Sequence, residues 1–198
     1  MTACFILAGQ RRRLTALLAA MAAVLALPSL PAFADEAPRT TREERYGNWG
    51  YSCAVAEDKM GAPRERCMIS QLVASNPREH KVALGLVVDL YDSPTIPTLR
   101  ARFSPGAERK VGIGMKIDDK PDLRLPISDC NKARCEATGR LTPQVLSLWN
   151  SGKQAQFAFL LKGGKQVVLP LSLNGFDRAL AALRKHPGEH KTAMAPRS

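Results

Sequence analysis

The chain has 198 residues, of which 45% are hydrophobic and 24% charged, and it carries a formal net charge of +11. That length and apolar content support one domain with a real core and exclude an intrinsically disordered chain. The excess of lysine and arginine, 29 against 18 acidic residues, biases the protein toward anionic surfaces without naming a partner.

The N-terminus has the three parts of a secretory leader. Arg11, Arg12 and Arg13 form a positive region, Leu14 to Leu27 an apolar one, and Pro28 and Pro31 interrupt it. Ala32-Phe33-Ala34 then supplies small residues where a signal peptidase reads, so residues 1–34 are expected to be a signal peptide. The apolar run of 14 residues falls short of the ~20 that a membrane span needs, so no transmembrane anchor is expected after cleavage. Cys4 precedes the apolar run, which argues against a lipoprotein. Removing the leader, with its three arginines and no acid, leaves 164 residues at a net charge of +8. Residues 35–45 are polar and charged and are expected to form a flexible segment, ahead of a domain over 46–186 and a basic flexible tail over 187–198.

From Tyr46 onward apolar and polar residues alternate with a period of two, the pattern of half-buried strands. Val82, Leu84, Leu86, Val88 and Leu90 share one face, as do Leu99, Ala101 and Phe103. Val111, Ile113, Met115 and Ile117 follow, then Leu123, Leu125 and Ile127. Phe157, Phe159 and Leu161, and Val167, Leu169, Leu171 and Leu173, complete the set. Gly163-Gly164 between the last two segments suits a tight hairpin that needs positive φ. Pro126 and Pro170 cannot donate to a ladder and imply edges or bulges. Thr142-Pro143 predicts a helix start, with Val145, Leu146 and Trp149 on one face and Gly152 as the stop. A second helix is predicted from about Phe176 to Lys185, with Phe176, Leu180 and Leu183 as its apolar stripe. The order predicts a mainly β single domain, an antiparallel sandwich-like or barrel-like fold with one short internal helix and a C-terminal helix.

Four cysteines follow the leader: Cys53, Cys67, Cys130 and Cys135. An even count in an exported chain points to disulfides, and four cysteines allow three connectivities. The local pairs Cys53–Cys67 and Cys130–Cys135 are favoured because each closes a polar turn between β-like segments. Gaps of 13 and 4 residues do not make the paired knuckles of a four-cysteine zinc site, and no Cys-x-x-Cys redox motif is present. His80 lies in a polar turn, and Pro187 and Gly188 separate His186 from His190. No nucleophile elbow or phosphate-binding loop occurs. Neither catalytic residues, nor a metal, nor a cofactor is therefore expected. Trp49 and Trp149 are expected to be structural anchors. Arg100, Arg102, Lys116 and Arg124 point away from the apolar faces of their strands. If those strands pair in chain order, the four cations gather on one sheet face able to hold phosphate or sulfate groups.

Tyr46-Gly47-Asn48-Trp49-Gly50-Tyr51-Ser52-Cys53 resembles the opening signature of the invasion-associated locus B family, in which a Gly-x-Trp motif precedes the first cysteine. Cys67-Met68-Ile69-Ser70-Gln71, then Leu123-Arg124-Leu125-Pro126, Cys130, Cys135-Glu136-Ala137 and Val168-Leu169-Pro170-Leu171-Ser172-Leu173-Asn174-Gly175-Phe176 follow in the family's order. The resemblance spans about residues 46–184. It implies a β-rich protein of the bacterial periplasm or outer envelope, or a secreted one, and the cysteine pairing is the only residue-level assignment it carries over. It supplies no catalytic motif. The expected role is a non-enzymatic binding module linked to host-cell association or envelope maintenance, with an unknown protein or an anionic envelope or host-surface component as partner. An inhibitor or accessory factor of another envelope protein is the competing role, and a glycan hydrolase the third. Export argues against nucleic acid as the partner.

Overall fold

A computed structural model describes residues 39–57, 61–76, 81–120 and 123–188. The expected signal peptide, residues 35–38, His80, His190 and the tail from 189 onward lie outside the described residues. Eleven strands and two helices follow in the order β1(Arg39–Tyr46), β2(Trp49–Glu57), β3(Pro63–Asn76), β4(Lys81–Asp89), β5(Thr98–Phe103), β6(Ile113–Ile117), β7(Leu123–Leu125), β8(Ile127–Cys130), β9(Cys135–Arg140), α1(Pro143–Ser151), β10(Gln154–Leu160), β11(Gln166–Ser172) and α2(Phe176–Lys185). Two antiparallel sheets result: seven strands in the order β1-β2-β3-β4-β5-β9-β8, and four in the order β11-β10-β6-β7. Both sheets stay open, so the fold is sandwich-like and not a barrel.

Most residues of the strand faces expected to be buried are buried, but Val82 near the start of β4 is exposed, and so is Val111, which lies ahead of β6. Leu84, Leu86, Val88, Leu99, Ala101 and Phe103 line one sheet and Ile113, Met115, Ile117, Phe157, Phe159, Leu169 and Leu171 the other. Gly163 and Gly164 both take positive φ in the β10–β11 turn, at +94° and +85°. Pro170 sits on β11, an edge strand. The Leu123-Leu125-Ile127 alternation divides at Pro126, with β7 in the smaller sheet and β8 in the larger. A residue without an N–H marks the point where the chain leaves one ladder for the other.

Two expectations change. Residues 39–45, expected to be flexible, form most of β1, which pairs antiparallel with β2 from Arg39↔Val55 to Tyr46↔Trp49. The strand carries no apolar alternation because it is an exposed edge, so backbone pairing holds it and burial does not. The start of the expected tail is also engaged: Gly188 forms a β-bridge with Arg66.

The family-like motifs meet at one junction between the sheets. Gly47, at φ +58°, and Gly175, at φ +86°, bring two turns into backbone contact. The Asn48 amide donates to the Asn174 carbonyl at 3.1 Å. The Trp49 indole N–H donates to the Ser172 carbonyl at 3.1 Å. Gln71, only 7% exposed, clamps the same point. Its amide donates to the Ser172 carbonyl at 3.0 Å and the Asn48 carbonyl at 3.2 Å, and its oxygen accepts from the Ser172 amide at 3.2 Å. Beneath, Trp49, Trp149 and Phe176 pack with centroids 4.8–5.9 Å apart. Both tryptophans are buried core.

A cationic cleft between an edge strand and the terminal helix

The four cations expected on one face are divided between the sheets. Arg100 and Arg102 lie on β5, whose neighbours are β4 and β9, whereas Lys116 and Arg124 lie on β6 and β7. Residues 104–112 carry the chain across, so strands adjacent in sequence are not adjacent in a ladder. The arginines are also occupied. Arg100 bridges Asp89 and Asp92, the latter at 2.8 Å. Arg102 pairs with Glu136 at 2.8 Å, and Arg124 donates to the Val111 carbonyl at 3.1 Å. Burial pushes the Asp89 carboxyl above its usual range, and the Arg100 guanidinium only partly offsets this. Arg100 therefore compensates a buried carboxylate, a structural role.

Cysteine pairing is local and cross-strand. Cys53–Cys67 and Cys130–Cys135 each join directly opposite residues of neighbouring strands, with Cα–Cα distances of 4.0 Å. Cys53, Cys67 and Glu65 stand close enough together to resemble a metal site. With both sulfurs in a disulfide, no thiolate is left to bind an ion.

Cations converge elsewhere. On α2, Arg178, Ala181, Ala182 and Lys185 follow helical spacing on one face, while Phe176, Ala179, Leu180 and Leu183 are buried. The cationic face looks onto the inner side of β1 and β2 across a cleft of about 350 Å³, lined by Arg42, Glu44, Tyr46, Tyr51, Arg178, Ala181, Ala182, Lys185 and His186. Ala181 and Ala182 keep its helical wall low. Period-two geometry puts Arg42, Glu44 and Tyr46 on one face of β1. Glu44 is engaged there, accepting from the Tyr46 hydroxyl at 2.5 Å and lying 3.7 Å from Arg42. The hydrogen bond to Glu44 holds the Tyr46 hydroxyl above the ordinary tyrosine value. The Tyr51 hydroxyl donates to the His186 carbonyl at 2.9 Å, tying the end of α2 to β2.

Arg178 and Lys185 have no ion pair among the described residues. With Arg42 set against Glu44, they leave the cleft two positive charges in surplus. An anion entering it would meet guanidinium and ammonium groups able to make charge-assisted hydrogen bonds. A larger groove of about 560 Å³ beside α1 has an apolar floor of Ile96, Leu141, Pro143 and Leu146 and a single charge, Arg184. It lacks that convergence.

Sequence reasoning misses this site because it treats residues 35–45 as flexible and reads the second helix only for its apolar stripe. The i, i+7 spacing of Arg178 and Lys185, opposite the apolar stripe, was the available signal.

Among the described residues, no helix is long and apolar enough to cross a membrane. No curated protein matches the chain. Among solved structures it is similar to one described as the crystal structure of invasion associated protein b from Bartonella henselae, with a TM-score of 0.62, 20% identity, and coverage of 75% of this chain and 100% of that one. At that identity the likeness is one of fold. The model of the family described as Invasion associated locus B (IalB) protein matches residues 49–184, well over half the chain, and so the chain belongs to the invasion-associated locus B family.

Proposed function

We propose that this is an exported, non-enzymatic binding protein of the bacterial envelope, and that the cleft between β1 and α2 receives an anionic group of its partner. The observation that carries this reading is the placement of Arg178 and Lys185, without ion pairs among the described residues, across from Arg42. Export is supported by the leader-like residues 1–34 and by two disulfides, which form in oxidising compartments. The one carboxylate in the cleft, Glu44, is held by Arg42 and Tyr46 and so leaves the charges of Arg178 and Lys185 uncancelled.

The test is affinity capture from solubilised envelope at low and high salt, comparing the protein with an Arg178→Ser/Lys185→Ser variant. The reading expects a discrete anionic component held by the protein and released by the double substitution. Equal capture by both proteins would refute it.

A further inference from the structure

We propose that the free edge of β1 accepts an extended acidic segment of a partner protein as an added strand, and that an acidic side chain of this segment occupies the cleft. This inference rests on the cleft being an anion site and adds the class of partner and its mode of binding.

The first observation is an open edge. β1 begins the seven-stranded sheet, and no strand among the described residues pairs with its outer side. Seven of its eight residues are exposed. An edge of this kind offers unpaired amide and carbonyl groups to another strand.

The second is the direction of those groups. Directly opposite residues of antiparallel strands lie about 4.5 Å apart in non-hydrogen-bonded pairs and about 5.5 Å apart in hydrogen-bonded pairs. Cys53 and Cys67 are opposite and 4.0 Å apart, which marks the non-hydrogen-bonded class. The amide and carbonyl of Cys53 therefore face β1, where its partner is Arg42. Alternation then turns the amides and carbonyls of Glu43 and Arg45 outward. The register shift at Thr41 ends before this stretch, and pairing runs regularly from Arg42 to Tyr46. Two residues thus present up to four main-chain hydrogen bonds.

The third is charge. A strand added at this edge places alternate side chains on the inner face, beside Arg42, Glu44 and Tyr46 and across from Arg178 and Lys185. Carboxylates complement that surplus. A second copy of the chain fits poorly. The antiparallel register that uses both Glu43 and Arg45 sets Glu44 against Glu44 and brings two cationic clefts together, and like charges directly opposite are destabilising.

Fluorescence anisotropy tests the inference on the disulfide-intact protein, with a labelled nine-residue threonine peptide carrying Glu at its third and seventh positions as probe, so that the two carboxylates flank the position opposite Glu44. Glu43→Pro removes an outward amide and leaves the β2 ladder intact, and Glu43→Gln controls for the charge. We expect the wild type and Glu43→Gln to bind alike. Glu43→Pro should bind about tenfold more weakly, through one lost main-chain hydrogen bond and a stranded carbonyl. A backbone N-methylated peptide should show a similar loss against the wild type, which keeps the test valid if Glu43→Pro folds poorly. Heparin retention by Glu43→Pro should match that of Glu43→Gln, which carries the same charge. Peptide binding that depends on Arg178 and Lys185 but ignores Glu43→Pro and N-methylation would overturn strand addition while the anion cleft stands. Heparin retention unaffected by the Arg178→Ser/Lys185→Ser change would instead defeat the cleft itself. A wild type that fails to bind the peptide, or a wild-type dimer that Glu43→Pro converts to monomer, would also overturn the inference.

Discussion

Replacing Gln71 with leucine should loosen the junction between the two sheets. The side chain is 7% exposed and makes three hydrogen bonds to the backbone of two other segments. Leucine keeps the volume but leaves the Ser172 amide buried without its acceptor, whereas the Ser172 carbonyl keeps the Trp49 indole. A stranded buried amide costs about 1–3 kcal/mol, and each exchanged hydrogen bond about 1 kcal/mol more, so the expected loss is about 3 kcal/mol. Gln71→Glu is the sharper probe. A glutamate can accept from the Ser172 amide, but it aims its second oxygen at the carbonyls of Asn48 and Ser172. Burial beside two carbonyls raises its folded-state pKa above the unfolded value. Its stability is then fully present below the unfolded carboxylate range and is lost as pH rises through the raised value. Urea unfolding followed by tryptophan fluorescence, at about pH 4 and about pH 7, checks both variants. A Gln71→Leu variant as stable as the wild type, or a Gln71→Glu penalty that ignores pH, would refute the reasoning.

Arg100→Ala should cost about 2–3 kcal/mol at neutral pH, at or just below the range for a fully buried pair because Arg100 is 25% exposed. Asp89 is already raised by burial, and losing the guanidinium raises it further. The variant should therefore recover stability as acid protonates Asp89, and a penalty constant between acidic and neutral pH would contradict this. Gly175→Ala would set a Cβ 2.0 Å from the Tyr46 carbonyl oxygen at φ +86°, at a cost of about 3 kcal/mol or more. Gly61→Ala, at φ +76° with nothing within 4 Å, should cost only about 1 kcal/mol. Thermal melts of the two should differ clearly, and similar melts would count against the turn-to-turn contact.

Much of the fold was legible because burial writes a period into sequence. The Val82–Leu90 alternation corresponds to β4, and the Thr142-Pro143 start and Gly152 stop delimit α1. Strand β1 was not legible. An exposed edge held by backbone pairing leaves no apolar period, so Arg42 and Glu44 read as solvated charge. The division at Pro126 was half legible: the proline signalled an interrupted ladder but not the change of sheet. The basic face failed because pairing in chain order is a tendency with exceptions, and the loop over 104–112 is one of them. Arg100 and Arg102 then met acidic partners on their own sheet. The family-like motifs were read as a signature, and the structure gives them a physical cause. Gly47, Asn48, Trp49, Gln71, Asn174, Gly175 and Phe176 share one junction, where two positive-φ turns touch and a buried amide satisfies the backbone.

The most direct test of the central claim is heparin retention of Arg178→Ser/Lys185→Ser against Lys162→Ser/Lys165→Ser, which removes the same charge from the exposed β10–β11 turn. A specific cleft predicts that the α2 variant elutes at clearly lower salt than the turn variant, which should stay near the wild type after allowance for net charge. Equal elution of the two variants would mean that retention follows overall charge alone, and the cleft would lose its claim to be a binding site.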